Sequence, residues 1–221
     1  MGSRIRVRRP AVVLCAIVAV LSLPAAARPQ AAGGNPFQAA SRSAAVFFVP
    51  LDPHARQLLD ATLPALDKWL PKYQELGVVP ARASWRNPSR GGQLSTSSIE
   101  NGLLSDFRRA QGSRPILLMA VSSEAVYWPT APEDRFVFAT WGQPHDLQYS
   151  AAFGTEPMRG FQPKLERSRL TKMMLRYVGE IVCRPWLRPN VNPRSVMYDP
   201  LVSTADLDRM VATLPAHCRR D

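Results

Sequence analysis

"RYVGEIVCRPW" (Arg176 to Trp186), with "VMYDP" beginning ten residues later at Val196, is the stretch on which the fold turns. It closes a longer segment, Arg169 to Cys183, in which Leu170, Met173, Met174, Tyr177 and Ile181 recur at helical spacing. Apolar residues at that period put one face of a long helix into a core. A shorter helix should follow from Ser203, which has Asp206 at the position of a capping box. The last third of the chain is therefore expected to be helical. The long helix contains no histidine.

Upstream the pattern alternates. "AAVFFVP" (Ala44 to Pro50) and "RPILLMAVS" (Arg114 to Ser122) are continuous apolar runs, the mark of strands covered on both faces. "GVVPARAS" (Gly77 to Ser84) reads as a strand between them. After Ala44–Pro50, Asp52 and Pro53 open a helix striped by Leu58, Leu59, Leu63, Leu66 and Leu70, which Pro64 should kink or break. "WRNPSRGGQ" reads as a loop, and Ser97 with Glu100 forms a capping box for a helix from Ser98 to about Ala110. Strand, helix, strand, helix, strand argues for right-handed crossovers and a parallel sheet. "RFVFATW" (Arg135 to Trp141) and "LQYSAAF" (Leu147 to Phe153) are two further strands joined by "GQPHD", short enough for a hairpin. The class is α/β, with a mixed, mostly parallel sheet and an antiparallel edge strand.

The N-terminus reads as an export signal. Four arginines, an apolar run from Ala11 to Leu23 and an A-x-A pattern ending at Ala27 follow the order basic, apolar, small. The apolar run is short for a membrane span, which needs about 20 residues; an uncleaved anchor is the alternative. The expected organisation is a signal peptide over 1–27, a Pro/Gly-rich disordered leader over 28–43 and one α/β domain over 44–221. Export, to the outside or to a periplasm, also allows a disulfide between Cys183 and Cys218, the two cysteines beyond Ala27; two separate thiols are the other reading.

The net charge is +11, and four of the basic residues precede Ala27, leaving +7 on 28–221. The excess is dispersed, with no run of five like charges and no aromatic–basic repeat. Nucleic acid is not expected as a partner, nor is a membrane once the signal is cleaved.

The pieces, in order, resemble the archaemetzincin-like branch of the metzincin zinc peptidases from about Val46 to Met210. "VFFVPL" resembles that family's first strand and "SRGGQ" (Ser89 to Gln93) its arginine-and-glutamine loop. "ILLMAVSSEAVY" (Ile116 to Tyr127) resembles its third strand and the turn after it. "RFVFATW" with the next strand resembles its antiparallel pair, and "SVMYDPLVSTADLDRM" (Ser195 to Met210) its methionine turn and following helix, with Met197 as the turn methionine. The family's chemistry lies in H-E-x-G-H-x-x-G-x-x-H: two histidines one helical turn apart reach zinc, and the glutamate activates the metal-bound water. Anchoring that motif on Gly179 places Arg176 at the first histidine, Tyr177 at the glutamate and Glu180 at the second histidine. Cys183 falls at the turn glycine and Trp186 at the third histidine.

The resemblance thus implies a scaffold without its zinc ligands, and no metal or other cofactor is expected. His54, His145 and His217 lie in three separate loops or ends. Arg176 and Glu180, at i and i+4, can pair across the vacated space or stand as an ordinary exposed helix pair. The leading expectation is an exported, non-catalytic pseudopeptidase that binds a peptide or protein. In the family an edge strand takes extended substrate, and the resemblance assigns that strand to Arg135, Phe136, Val137, Phe138 and Ala139, continuing to Trp141. The alternatives are a zinc-dependent peptidase, a hydrolase of unrelated chemistry, and a cell-envelope module for acidic polymers.

Overall fold

The computed structural model describes 46–70, 72–111, 117–129, 139–141, 149–181, 191–198, 201 and 203–218, with backbone alone at 139–141, 149, 180, 181 and 217. All of these lie in one compact unit, Ala31–Asp221. The principal sheet has five strands in the order β2 (Tyr73–Glu75), β1 (Val46–Pro50), β5 (Leu117–Ser122), β8 (Tyr149–Gly154), β7 (Ala139–Trp141). Pairs β1–β2, β1–β5 and β5–β8 are parallel, and β7 joins β8 antiparallel, Ala139 opposite Phe153 and Trp141 opposite Ala151. This is the mixed, mostly parallel sheet with an antiparallel edge that the sequence leads one to expect.

The apolar runs are strands because each buries both faces. Val46 and Phe48 of β1, Leu117, Met119 and Val121 of β5, and Ala151 and Phe153 of β8 enter one core. It is shared with α1 (Pro53–Leu66), α3 (Pro163–Ile181) and α4 (Thr204–Arg209). The alternate residues Phe47, Val49, Leu118, Ala120 and Ala152 enter a second core with α2 (Thr96–Gln111). Helices thus cover both faces, as a parallel sheet requires.

Four local readings are corrected. Gly77 to Ser84 is not the second strand; β2 lies earlier, over Tyr73–Glu75, where half-exposed polar residues give no apolar run. Pro80 offers no amide hydrogen to a ladder. Pro64 does not break α1, which continues to Leu66 with Pro64 on its solvent side. The stripe of Leu58, Leu59, Leu63 and Leu66 is fully engaged with the core, which holds the last turn in place.

Ser97 is not the cap of α2. The helix begins at Thr96, and the amide of Ser98 donates to Ser95 Oγ at 3.3 Å. Glu100 is buried and accepts from Ser150 Oγ at 2.9 Å, tying α2 to β8. The "WRNPSRGGQ" loop is a hairpin: β3 (Arg86–Asn87) returns antiparallel to β4 (Gln93–Ser95), and β4 pairs in parallel with β6 (Val126–Tyr127). Gly91 and Gly92 hold φ of 63° and 83° at its turn, the left-handed region that glycine enters without strain. Of the expected strand Arg135 to Trp141, the described part is β7; Arg135, Phe136, Val137, Phe138 and "GQPHD" lie outside the described residues.

Candidate functional site

The site is built from α3 and the 192–198 turn. Pro163, pre-set for a first helical turn, opens α3 six residues earlier than the apolar stripe shows. Leu170, Met173, Met174 and Tyr177 face the core as their spacing dictates. The ring of Tyr177 stands edge-on to Phe153 of β8, centroids 5.1 Å apart. Tyr177 is thus an aromatic side chain packed on the sheet.

The 192–198 turn is closed by its own backbone and by Ser195. Ser195 N donates to Asn192 O at 3.0 Å, Tyr198 N to Ser195 O at 3.1 Å and Met197 N to Ser195 Oγ at 3.1 Å. Val196 and Met197 are buried in the same core as Tyr177. Arg176, half-buried on α3, donates through Nη1 to the carbonyl of Tyr198. The structure therefore brings together two pieces that the sequence separates, the long helix and the 192–198 turn, and Arg176 joins them.

Arg176 belongs to a series. Arg169, Lys172 and Arg176 recur at i, i+3 and i+7, and all three reach the segment from Tyr198 to Asp208. Arg169 grips Asp208 with two bonds, Nε to Oδ1 at 2.8 Å and Nη2 to Oδ2 at 2.6 Å. Lys172 Nζ donates to Leu207 O at 2.8 Å, at the carbonyl end of α4. The Arg169 fork holds the Asp208 carboxyl below the usual carboxylate range and raises the guanidinium in turn. Burial pushes the Lys172 ammonium down against the opposing pull of Asp208. Arg169 also donates to the carbonyls of Met158 and Arg159, at 2.8 and 3.1 Å. Sequence reasoning missed this seam, although its signal was present: basic residues at helical spacing beside the apolar stripe, in a helix otherwise committed to a core.

The carboxyl ends of the parallel strands form a second polar region. Strand order reverses between β1 and β5, the point at which open α/β sheets place ligands. Here Asp52 fills it, accepting from Ala55 N at 2.8 Å and Ser123 N at 2.7 Å. Beside it Glu166 of α3 accepts from Thr155 Oγ1 at 2.6 Å and meets His54 Nε2 at 3.2 Å. Arg159 Nη2 reaches Ser123 O at 2.6 Å. These side chains satisfy one another and lock the loops after β1, β5 and β8 together.

No family model matches the chain, and no curated protein matches its sequence. Solved structures do. Archaemetzincin from Methanopyrus kandleri superposes with a TM-score of 0.58 at 18% identity, over 81% of this chain and 93% of that one. The fold is archaemetzincin-like. Archaemetzincin from Archaeoglobus fulgidus, complexed with malonate, gives 0.56 at 18%, over 78% and 96%. A zinc-dependent peptidase from Methanocorpusculum labreanum gives 0.58 at 16%, over 78% and 97%.

Arg176 and Tyr177 stand where the resemblance would place a zinc ligand and the base, and their fit to zinc can be read from their chemistry. Arg176 carries five N–H donors, a permanent charge and no lone pair for a cation, and its Nη1 is already engaged with Tyr198 O. Tyr177 is turned into the core. These residues do not fit a zinc ion. Among the described residues no three His, Cys, Asp or Glu side chains converge to hold a metal. The Glu180 side chain, Cys183 and Trp186 lie outside the described residues, as does the Arg176–Glu180 pairing. Cys218 is disulfide-bonded, and the chain's other two cysteines, Cys15 and Cys183, lie outside the described residues.

Proposed function

We propose that this chain is an exported, non-catalytic protein on an archaemetzincin-like scaffold, and that it binds an extended peptide along β7. The observation that carries the reading is Arg176. A fixed cation stands at the first metal-ligand position of the resemblance and bonds the backbone of the methionine turn. It supplies from within the chain a positive charge that ties helix to turn. Catalysis through a metal-bound water has no base at Tyr177, whereas main-chain pairing at a sheet edge needs neither metal nor base. β7 ends the five-strand order, with β8 as its partner.

The first test is metal analysis of the purified protein together with its melting temperature in a strong chelator. We expect far less than one zinc per chain and no change in melting. The second is a library of extended peptides followed for binding by chemical shift and for cleavage by mass. We expect weak binding and intact peptides. Because amides on an edge strand alternate between the neighbour and the open side, one of Ala139→Pro and Thr140→Pro removes a donor to β8 and the other an outward donor. The variant that keeps its melting temperature should be the one that loses the peptide. The second reading is a zinc-dependent peptidase, favoured by the fold likeness itself. Stoichiometric zinc with peptide cleavage would establish it and end the proposal.

A further inference from the structure

One side chain, Phe161, is poorly suited to water and takes no part in the site described above. Between the 3-10 turn at Glu156–Met158 and α3 the chain runs Arg159-Gly160-Phe161-Gln162, and Pro163-Lys164 open α3. Phe161 is 107% exposed, the most exposed large apolar side chain among the described residues. It is not on a frayed end. Arg159 on one side is fixed to Ser123 O and lies 3.6 Å from Glu166. On the other side Leu165 N donates to Gln162 O at 2.9 Å and α3 begins at Pro163. A held backbone thus presents a bare phenyl ring to solvent.

The exposed charges of this stretch are mostly positive, with Glu156 the one exposed acid. Lys164 and Arg167 are exposed, and neither side chain has an ion-pair partner among the described residues. Arg159 is half-exposed. The acids of the same stretch are Glu156, exposed, and Glu166, buried and committed to Thr155 and His54. Local choices that cost stability or solubility in water mark functional positions more often than defects. An exposed ring and unpaired cations are relieved together by a surface that is apolar inside and anionic outside.

We infer that the Arg159–Lys164 stretch is a contact site for an anionic lipid surface. Phe161 enters the boundary between headgroups and acyl chains, and Lys164 and Arg167 meet the phosphates. Such a peripheral contact combines buried apolar area with attraction to anionic lipid. It revises the expectation that no membrane is involved after signal cleavage. That expectation rested on the dispersal of charge along the sequence, and the exposure of one phenylalanine is visible only in the fold.

The test is co-sedimentation of the protein, as recovered from the producing cell, with vesicles of phosphatidylglycerol or of phosphatidylcholine alone. Phe161→Ser touches no packed neighbour and should keep the melting temperature. It should weaken binding to anionic vesicles about tenfold, the scale of withdrawing one half-immersed apolar side chain. Lys164→Gln and Arg167→Gln should each cost roughly fivefold, and phosphatidylcholine vesicles should retain little protein. Equal binding by native protein and Phe161→Ser overturns the proposal, assigning any membrane affinity to another segment. So does binding to a soluble polyanion that matches binding to vesicles, or self-association without lipid that Phe161→Ser abolishes.

Discussion

Arg176 holds a charge that bulk water would solvate well, yet it is half-buried and turned toward a backbone carbonyl. Hydrogen bonds from charged groups are among the stronger ones, and a buried acceptor stripped of its donor keeps the desolvation cost. Arg176→Met should therefore lower the stability to urea by about 1.5–3 kcal/mol; a change near zero would make the bond to Tyr198 incidental. Asp208 supports a prediction about acid. Its carboxyl, held low by Arg169, stays ionised in the folded chain at pH values where the unfolded chain takes up a proton. The unfolded state then binds more protons, so stability falls as pH drops through the region below about 4. Glu124, held low by Arg86, acts in the same direction. In Asp208→Asn the acid-side decline of the urea midpoint should be shallower than in the native chain.

Elements place these residues, and two can be tested directly. The cap of α2 is Ser95, whose hydroxyl accepts from Ser98 N, and Ser97 sits inside the first turn. Ser95→Ala should cost about 1 kcal/mol and Ser97→Ala close to nothing; the reverse order in thermal unfolding would restore the capping box at Ser97. In α1, Pro64 interrupts the ladder on the solvent side while Leu63 and Leu66 hold the helix from the core side. Pro64→Ala returns a hydrogen bond and should raise the melting temperature, because proline inside a helix costs roughly 3 kcal/mol in hosts that lack such support. At α4 the capping box of Ser203 and Asp206 forms as its sequence signature requires. The same three-residue spacing at Ser97 and Glu100 forms no cap, because Glu100 is buried there and accepts from Ser150 Oγ.

For the whole molecule the open question is how the C-terminus is secured. Cys218 is disulfide-bonded, and we propose Cys183 as its partner, closing a loop of about 36 residues and adding roughly 3–4 kcal/mol in the chain-entropy model. Non-reducing peptide mapping should recover a Cys183–Cys218 peptide; a link to Cys15, or free thiols, would reject the pairing. The sequence by itself determined the α/β class, the strands β1, β5 and β8, the long helix and its core face. Those features follow from the period with which side chains enter a core, and period is a local property. It also carried the scaffold, through the order of several weak stretches. Only the tertiary structure decided the place of β2, a half-exposed edge strand with no apolar run to announce it. The same is true of the small sheet of β3, β4 and β6, whose strands of two or three residues are too short to show alternation. It alone decided the partners of Arg169, Lys172 and Arg176, because a polar side chain's partner lies tens of residues away. No periodicity in one helix specifies which carbonyl another segment will bring to it.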